Sequence, residues 1–206
     1  MVWPYSSLGE LPLYPDTTGY GNRWINDALE AGFCFLGWAS DLKGKMYKMS
    51  YAMLVSREGD CLAVIGFGYV LNVRVQGTTL YCQATNGNVF YTSDNQALIE
   101  IDLSRTWHSQ LTQAFTFSDL LKYHRKILST SGAVVQMFTA GREIEEMKRL
   151  REQRYQSLSK MGLITYTDAL CEYWHYTTYG AIRVAFVNYW IGMMRKLTFG
   201  RMFKSV

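Results

Sequence analysis

The chain has 206 residues, 49% of them apolar and 18% charged, and carries a net charge of +4. That balance excludes a disordered chain, and the length suffices for a substantial core without metal or disulfide staples. The mild positive charge permits an anionic partner without requiring one, and the many aromatic residues (6 Trp, 15 Tyr, 10 Phe) suit either a sheet-rich core or an interface.

Residues 1–21 hold all three prolines, Pro4, Pro12 and Pro15, with Gly9, Gly19 and Gly21 and several aromatics between them. They read as an extended arm that either pins to the domain through Trp3, Tyr5, Tyr14 and Tyr20 or reaches a neighbouring subunit. Asn22 is the expected cap of a short helix with Trp24, Ile25, Ala28 and Leu29 on its apolar side and Gly32 after its end. Phe33 to Ala39 follows as a first strand, whose consecutive apolar residues suggest burial on both faces or a central position.

The stretch from Met46 to Asp94 carries the most consistent pattern and reads as three or four antiparallel strands. Tyr47, Met49, Tyr51, Met53 and Val55 alternate with Lys48, Ser50 and Ala52, the signature of a half-buried strand. A turn at Arg57-Glu58-Gly59-Asp60 leads into a second run from Cys61 to Val75, with a bulge or bend expected at Gly66-Phe67-Gly68. Thr79 to Ala84 and Val89 to Thr92 form a hairpin about Asn86-Gly87, the pair suited to a type I′ turn. Ala97 to Leu103 is a candidate last strand, and Arg105 to Thr116 is left unassigned.

From Phe117 the period becomes helical. Ser118 is the expected N-cap, Leu120, Leu121, His124, Ile127 and Leu128 mark one face, and Gly132 stops the helix. A short apolar piece, Val134 to Phe138, precedes a charged helix from Arg142 to Met161. That helix has an apolar stripe of Ile144, Met147, Leu158 and Met161, an i, i+4 pair at Glu145 and Arg149, and Gly162 at its C-terminal end. Leu163 to Thr167 and Glu172 to Thr177 read as two strands, followed by a helix from Thr178 to Arg195. The whole is an α+β chain: an arm over 1–21, an antiparallel sheet of five to six strands with an N-terminal helix over 22–116, and a helical segment with a small hairpin over 117–206.

Catalytic patterns are sparse. No third glycine or following helix completes a dinucleotide loop at Gly66-Phe67-Gly68, and no phosphate-loop or nucleophile-elbow motif occurs. Cys34, Cys61, Cys82 and Cys171 lie in apolar contexts, form no C-x-x-C pair and have no zinc spacing with the three histidines, so they read as small buried hydrophobes in a reducing compartment. No metal or cofactor is expected. His124, on the apolar face of its helix, reads as a core histidine satisfied by backbone, with a buried acid or base as the functional alternative. His175 lies three residues from Glu172, which in a strand puts the two on opposite faces. His108 has no evident partner.

The phrases Leu158-Ser159-Lys160-Met161-Gly162-Leu163-Ile164 and Trp174-His175-Tyr176-Thr177-Thr178-Tyr179-Gly180, in the order helix, strand, strand, helix, resemble the end of a recognition helix and the wing of winged-helix proteins. The resemblance implies a helix in the major groove and a wing at the backbone, with Arg149, Arg151 and Arg154 as phosphate contacts. Glu143, Glu145, Glu146 and Glu152 on the same helix oppose phosphate binding, so nucleic acid is disfavoured as a partner.

The last helix carries the stronger functional signal. Ile182, Phe186, Tyr189, Trp190, Met193 and Leu197 form one apolar stripe, with Val184, Val187, Ile191 and Met194 covering much of the remaining circumference, and Arg195, Lys196, Leu197, Phe199, Arg201, Met202, Phe203 and Lys204 make a basic apolar tail. The expected function is a non-catalytic binding or assembly module. Phe186 and Trp190 serve as anchors, and Phe203 with Arg195, Lys196, Arg201 and Lys204 meets a protein partner, a second copy or an anionic membrane surface. The alternatives are a winged-helix-like DNA binder and a small enzyme with a pocket around His124 or His175. No secretory signal is evident, and the apolar run Val184 to Met194 is about half of what a membrane span needs. The expected location is cytoplasmic, including the inner face of a membrane.

Overall fold

The computed structural model describes residues 9–40, 47–70, 72–94, 106–166, 174–183, 185, 186 and 189. In chain order the elements are α1 (Tyr20–Glu30), β1 (Phe33–Ser40), β2 (Tyr47–Ser56), β3 (Leu62–Val70), β4 (Val73–Ala84), β5 (Val89–Ser93), β6 (Trp107–Leu111), α2 (Phe117–Ser131), β7 (Val135–Gln136), α3 (Glu143–Lys160), β8 (Ile164–Tyr166) and β9 (Trp174–Tyr176). Residues 178–183, 185, 186 and 189 are helical as well. The class is α+β, as the sequence predicts, and the chain divides into two compact units within α3, between Arg151 and Glu152.

The first unit is built on one sheet in the order β1-β2-β3-β4-β5-β6, with β7 paired to the end of β4. All neighbours are antiparallel except β5 and β6, which run parallel; this is the stretch that periodicity leaves unassigned. The β2–β3 hairpin pairs without interruption from Tyr47↔Val70 to Val55↔Leu62 about a turn in which Gly59 has φ 74°. Because that pairing runs straight through Gly66 and Gly68, no bulge interrupts the strand there. Gly68 answers a different need: at φ 150°, a Cβ on it would strike the Lys48 carbonyl of the adjacent strand.

Three local expectations change. The run from Cys61 to Val75 is two strands, because the chain reverses at Asn72, which takes φ 62°, so that Val70 pairs with Val73; Asn tolerates that conformation better than most residues. The second hairpin forms, but its loop has three residues. Ala84 N–H donates to Asn88 O and Gly87, at φ 83°, donates to Ala84 O, so Gly87 fills the left-handed position after a turn in place of the type I′ pair. β1 is the edge of the sheet and not central: its consecutive apolar residues reflect a bulge between Phe35 and Gly37, which leaves Cys34 and Phe35 exposed. The candidate strand at 97–103 lies outside the described residues.

Both sheet faces are covered, so β2 is buried on both sides where alternation predicts one. Ser50 and Ala52 are fully buried. On one face α1 and α2 contribute Trp24, Ile25, Ala28, Phe117, Leu120 and Leu121 to a cluster with Ala52, Leu54, Ala63, Ile65 and Leu80; small residues on both sides let α1 lie close to the strands. On the other face Met147 and Leu150 of α3 join Met53, Val55, Leu62, Val64, Tyr81, Tyr91 and Trp107.

The arm is pinned along residues 9–19. Gly9 and Trp38 exchange backbone hydrogen bonds at 2.7 and 2.9 Å, covering part of the exposed edge of β1, and Tyr14 N–H donates to Ser50 Oγ. Asp16 then takes the capping role expected of Asn22: its carboxylate accepts from Asn22 N–H, Thr18 N–H and Thr18 Oγ1, while α1 starts at Tyr20. Burial would raise the Asp16 pKa, but these hydrogen bonds outweigh it and hold the carboxyl below its ordinary value. For α2 the cap is Thr116, two residues before Ser118, with Oγ1 accepting from Asp119 N–H; Gly132 ends the helix at φ 65° as expected. On α3, Glu145 pairs with Arg142 at 3.2 Å where the sequence suggests Arg149.

In the second unit, Gly162 ends α3 at φ 68°, Leu163 N–H donates to Leu158 O, and β8 and β9 form an antiparallel pair with Thr165 opposite His175. Met161 is partly exposed beyond the end of α3 and does not extend its buried stripe. Thr177 starts the following helix: its Oγ1 accepts from Gly180 N–H at 3.0 Å and donates to Gly162 O at 2.6 Å. Gly180 is required there, because a Cβ would meet the carbonyl of Leu163.

Candidate functional site

Two features depart from an ordinary inside and outside. One is a knot of polar and sulfur atoms within the sheet unit. The β3–β4 register, continued one step past Leu62↔Tyr81, sets Cys61 directly across from Cys82, both on the face that carries Ala63 and Leu80. His124 descends from α2 onto this pair. Its Nε2 lies 3.0 Å from Cys82 Sγ, and its Nδ1 lies 2.8 Å from Thr92 Oγ1 on β5. The two sulfurs and a ring nitrogen all fall within 4.8 Å of one another, and all three residues are buried.

The electrostatics of the pair are asymmetric. The hydrogen bond to Cys82 pulls the Cys61 pKa down, against burial and with help from His124, to about 6. The same bond, with burial, pushes the Cys82 thiol up. Cys61 and Cys82 are buried in the core, as the sequence predicts, whereas Cys34 is exposed. His124 is a buried histidine as predicted, but side chains and not backbone satisfy it. The signal that places Cys61 opposite Cys82 is the turn at Asn72, because the pairing of Val70 with Val73, continued along the strands, aligns position 61 with position 82.

A second buried network fixes α1 to the sheet. Tyr20 Oη donates to Asp94 Oδ2 at 2.7 Å and meets Thr78 Oγ1 at 3.0 Å, while Thr78 N–H donates to Asp94 Oδ1 at 2.6 Å. Burial raises the Asp94 carboxyl above its ordinary value despite these hydrogen bonds, and burial next to that carboxylate raises the Tyr20 phenol strongly. Tyr20 in turn stacks on Trp24 at 5.2 Å. The group reads as a structural clamp.

The other histidines are exposed. His108 stacks on Phe90 with ring centroids 4.8 Å apart and lines an open cleft of about 400 Å³ with Thr85, Asn86, Asn88 and Ser131. His175 is exposed on β9, and Glu172 lies outside the described residues. The cleft includes neither His124 nor His175.

The second departure is at the C-terminal helix. Tyr179, Ile182, Phe186 and Tyr189 are 59%, 65%, 65% and 71% exposed, at spacings of three, four and three residues that place them along one side of a helix. Phe186, an expected anchor, belongs to this exposed stripe. The other expected contact residues, Trp190, Arg195, Lys196, Arg201, Phe203 and Lys204, lie outside the described residues, and no helix among the described residues is long and apolar enough to cross a membrane. Of the arginines that the winged-helix resemblance implies as phosphate contacts, Arg154 is buried and Arg151 donates to Tyr81 Oη at 3.4 Å.

The fold and these features define an α+β protein with a mostly antiparallel sheet covered by helices on both faces. No protein-family model, curated protein or solved structure matches the chain.

Proposed function

We propose that this protein is a non-catalytic binding module whose C-terminal segment docks on an anionic membrane surface. The observation that carries the reading is the exposed stripe of Tyr179, Ile182, Phe186 and Tyr189, which puts large apolar and aromatic side chains into water along one side of a helix. Charge selects the partner. Residues 178–206 contain five of the chain's 21 cations, Arg183, Arg195, Lys196, Arg201 and Lys204, and none of its 17 acidic residues, so the remainder is close to neutral. A second copy would bring the same positive segment against itself, whereas acidic headgroups meet it favourably, at about 1 kcal/mol per cation near the surface. Tyrosines in the stripe suit the boundary between acyl chains and headgroups.

The test is sedimentation of the full chain with phosphatidylcholine vesicles, with and without added phosphatidylglycerol. Binding is expected to the acidic vesicles alone, to weaken with salt, and to be lost in Phe186→Glu and on removal of residues 196–206, while the circular dichroism of the sheet is retained. Equal binding to neutral vesicles, no binding at all, or unchanged binding by both variants overturns the reading, as does tighter binding to duplex DNA or to a second copy of the chain.

A further inference from the structure

We propose that Cys61, Cys82 and His124 form a binding site for one soft divalent cation of the zinc type, clamped between the sheet and α2. The placement of the donors supports this. Two cysteines on neighbouring strands face each other, and a helix delivers an imidazole to the same point; the three ligand atoms lie within 4.8 Å of one another. Donors on one tetrahedral zinc are about 3.5–3.8 Å apart, so Nε2 and Cys82 Sγ, at 3.0 Å, must separate by about half an ångström and the widest pair, within 4.8 Å, must close by no more than about 1 Å. That is a side-chain adjustment.

The orientation of His124 is already that of a ligand. Thr92 Oγ1 engages Nδ1 at 2.8 Å, which fixes the ring and aims Nε2 at the sulfur, as outer partners of metal-bound imidazoles do. The donor set selects the ion. Two sulfurs and an imidazole suit zinc and its neighbours and repel magnesium and calcium, which require oxygen. Charge agrees as well: two thiolates, a neutral imidazole and a divalent cation sum to zero, the charge that a buried site tolerates best. Binding releases the remaining thiol protons to buffer and transfers no electrons. Three donors leave the fourth tetrahedral position to a water.

The test uses the full chain, purified with a reductant, stripped with a chelator and titrated with Co²⁺. One equivalent is expected to give a thiolate-to-cobalt charge-transfer band, to be displaced by Zn²⁺, and to raise the melting temperature. The band should vanish in Cys61→Ser and Cys82→Ser and persist in Cys34→Ser, whose thiol lies outside the cluster. Thr92→Val should retain the band with about 10- to 100-fold weaker affinity, a response that a purely structural threonine would not produce. Absence of the band in a folded wild-type chain, its survival in Cys82→Ser, or loss of two thiols to a Cys61–Cys82 disulfide under the reducing conditions overturns the proposal. Circular dichroism of each apo variant separates loss of metal from loss of fold.

Discussion

In the sheet unit, polar groups lie inside and are joined to one another: His124 to Thr92 and Cys82, and Tyr20 to Asp94 and Thr78. In the C-terminal unit, large apolar groups lie outside along one side of a helix, with Tyr189 the most exposed of the four. A buried polar group and an exposed apolar stripe are the two arrangements that folding alone does not favour, and they differ in what they teach. The buried groups are hydrogen-bonded, so they add specificity to a core that is already complete. The exposed stripe is stabilised only when something covers it.

The sharpest way to break the comparison is Gly180→Ala. The new Cβ would collide with the Leu163 carbonyl, so the start of the C-terminal helix must move or unwind, at an expected cost of about 3 kcal/mol to that unit. Amide exchange at Ala181, whose N–H is held by Thr177 O, should accelerate sharply while the amides of β3 and β4 keep their protection. Equal loosening of the sheet would mean that the two units do not respond separately. Next in size is Thr92→Val in chelator-treated protein. It leaves His124 Nδ1 buried without its partner, and urea unfolding should show a loss of about 1–3 kcal/mol. An unchanged midpoint would show that the interior knot contributes nothing to stability.

The smallest effect is a pH dependence from Asp94. Its folded pKa is raised above the ordinary 3.8, so the folded state holds a proton that the unfolded state has released. The stabilisation is fully present below the unfolded value and is lost as pH rises through the folded one. Tyr20 follows the same sign in alkali, because its phenol is raised above 10. Relative to Asp94→Asn, the wild type should therefore lose stability from about pH 4 upward. A wild type that gains on the variant over that range contradicts the account.

The same contrast explains what was legible in the sequence. Local signals read well where one residue type dictates one conformation: Gly59, Gly132 and Gly162 lie where a positive φ was expected, and the alternation of β2 and the hairpin at Asn86-Gly87 locate the sheet. They read poorly where pairing decides. A bulge at Phe35 to Gly37 makes an edge strand look central, and β6 joins β5 in parallel, which no local period announces. The interior knot required two strands and a helix to converge from positions 61, 82 and 124, so residue spacing alone could not show it. The apolar stripe was legible because it belongs to one helix.

Hydrogen exchange of the full chain with and without phosphatidylglycerol-containing vesicles tests the central claim most directly. The account predicts that acidic vesicles slow exchange across residues 178–206 and leave residues 47–93 unchanged. Unaltered exchange at 178–206, or protection appearing instead on the sheet, would contradict it.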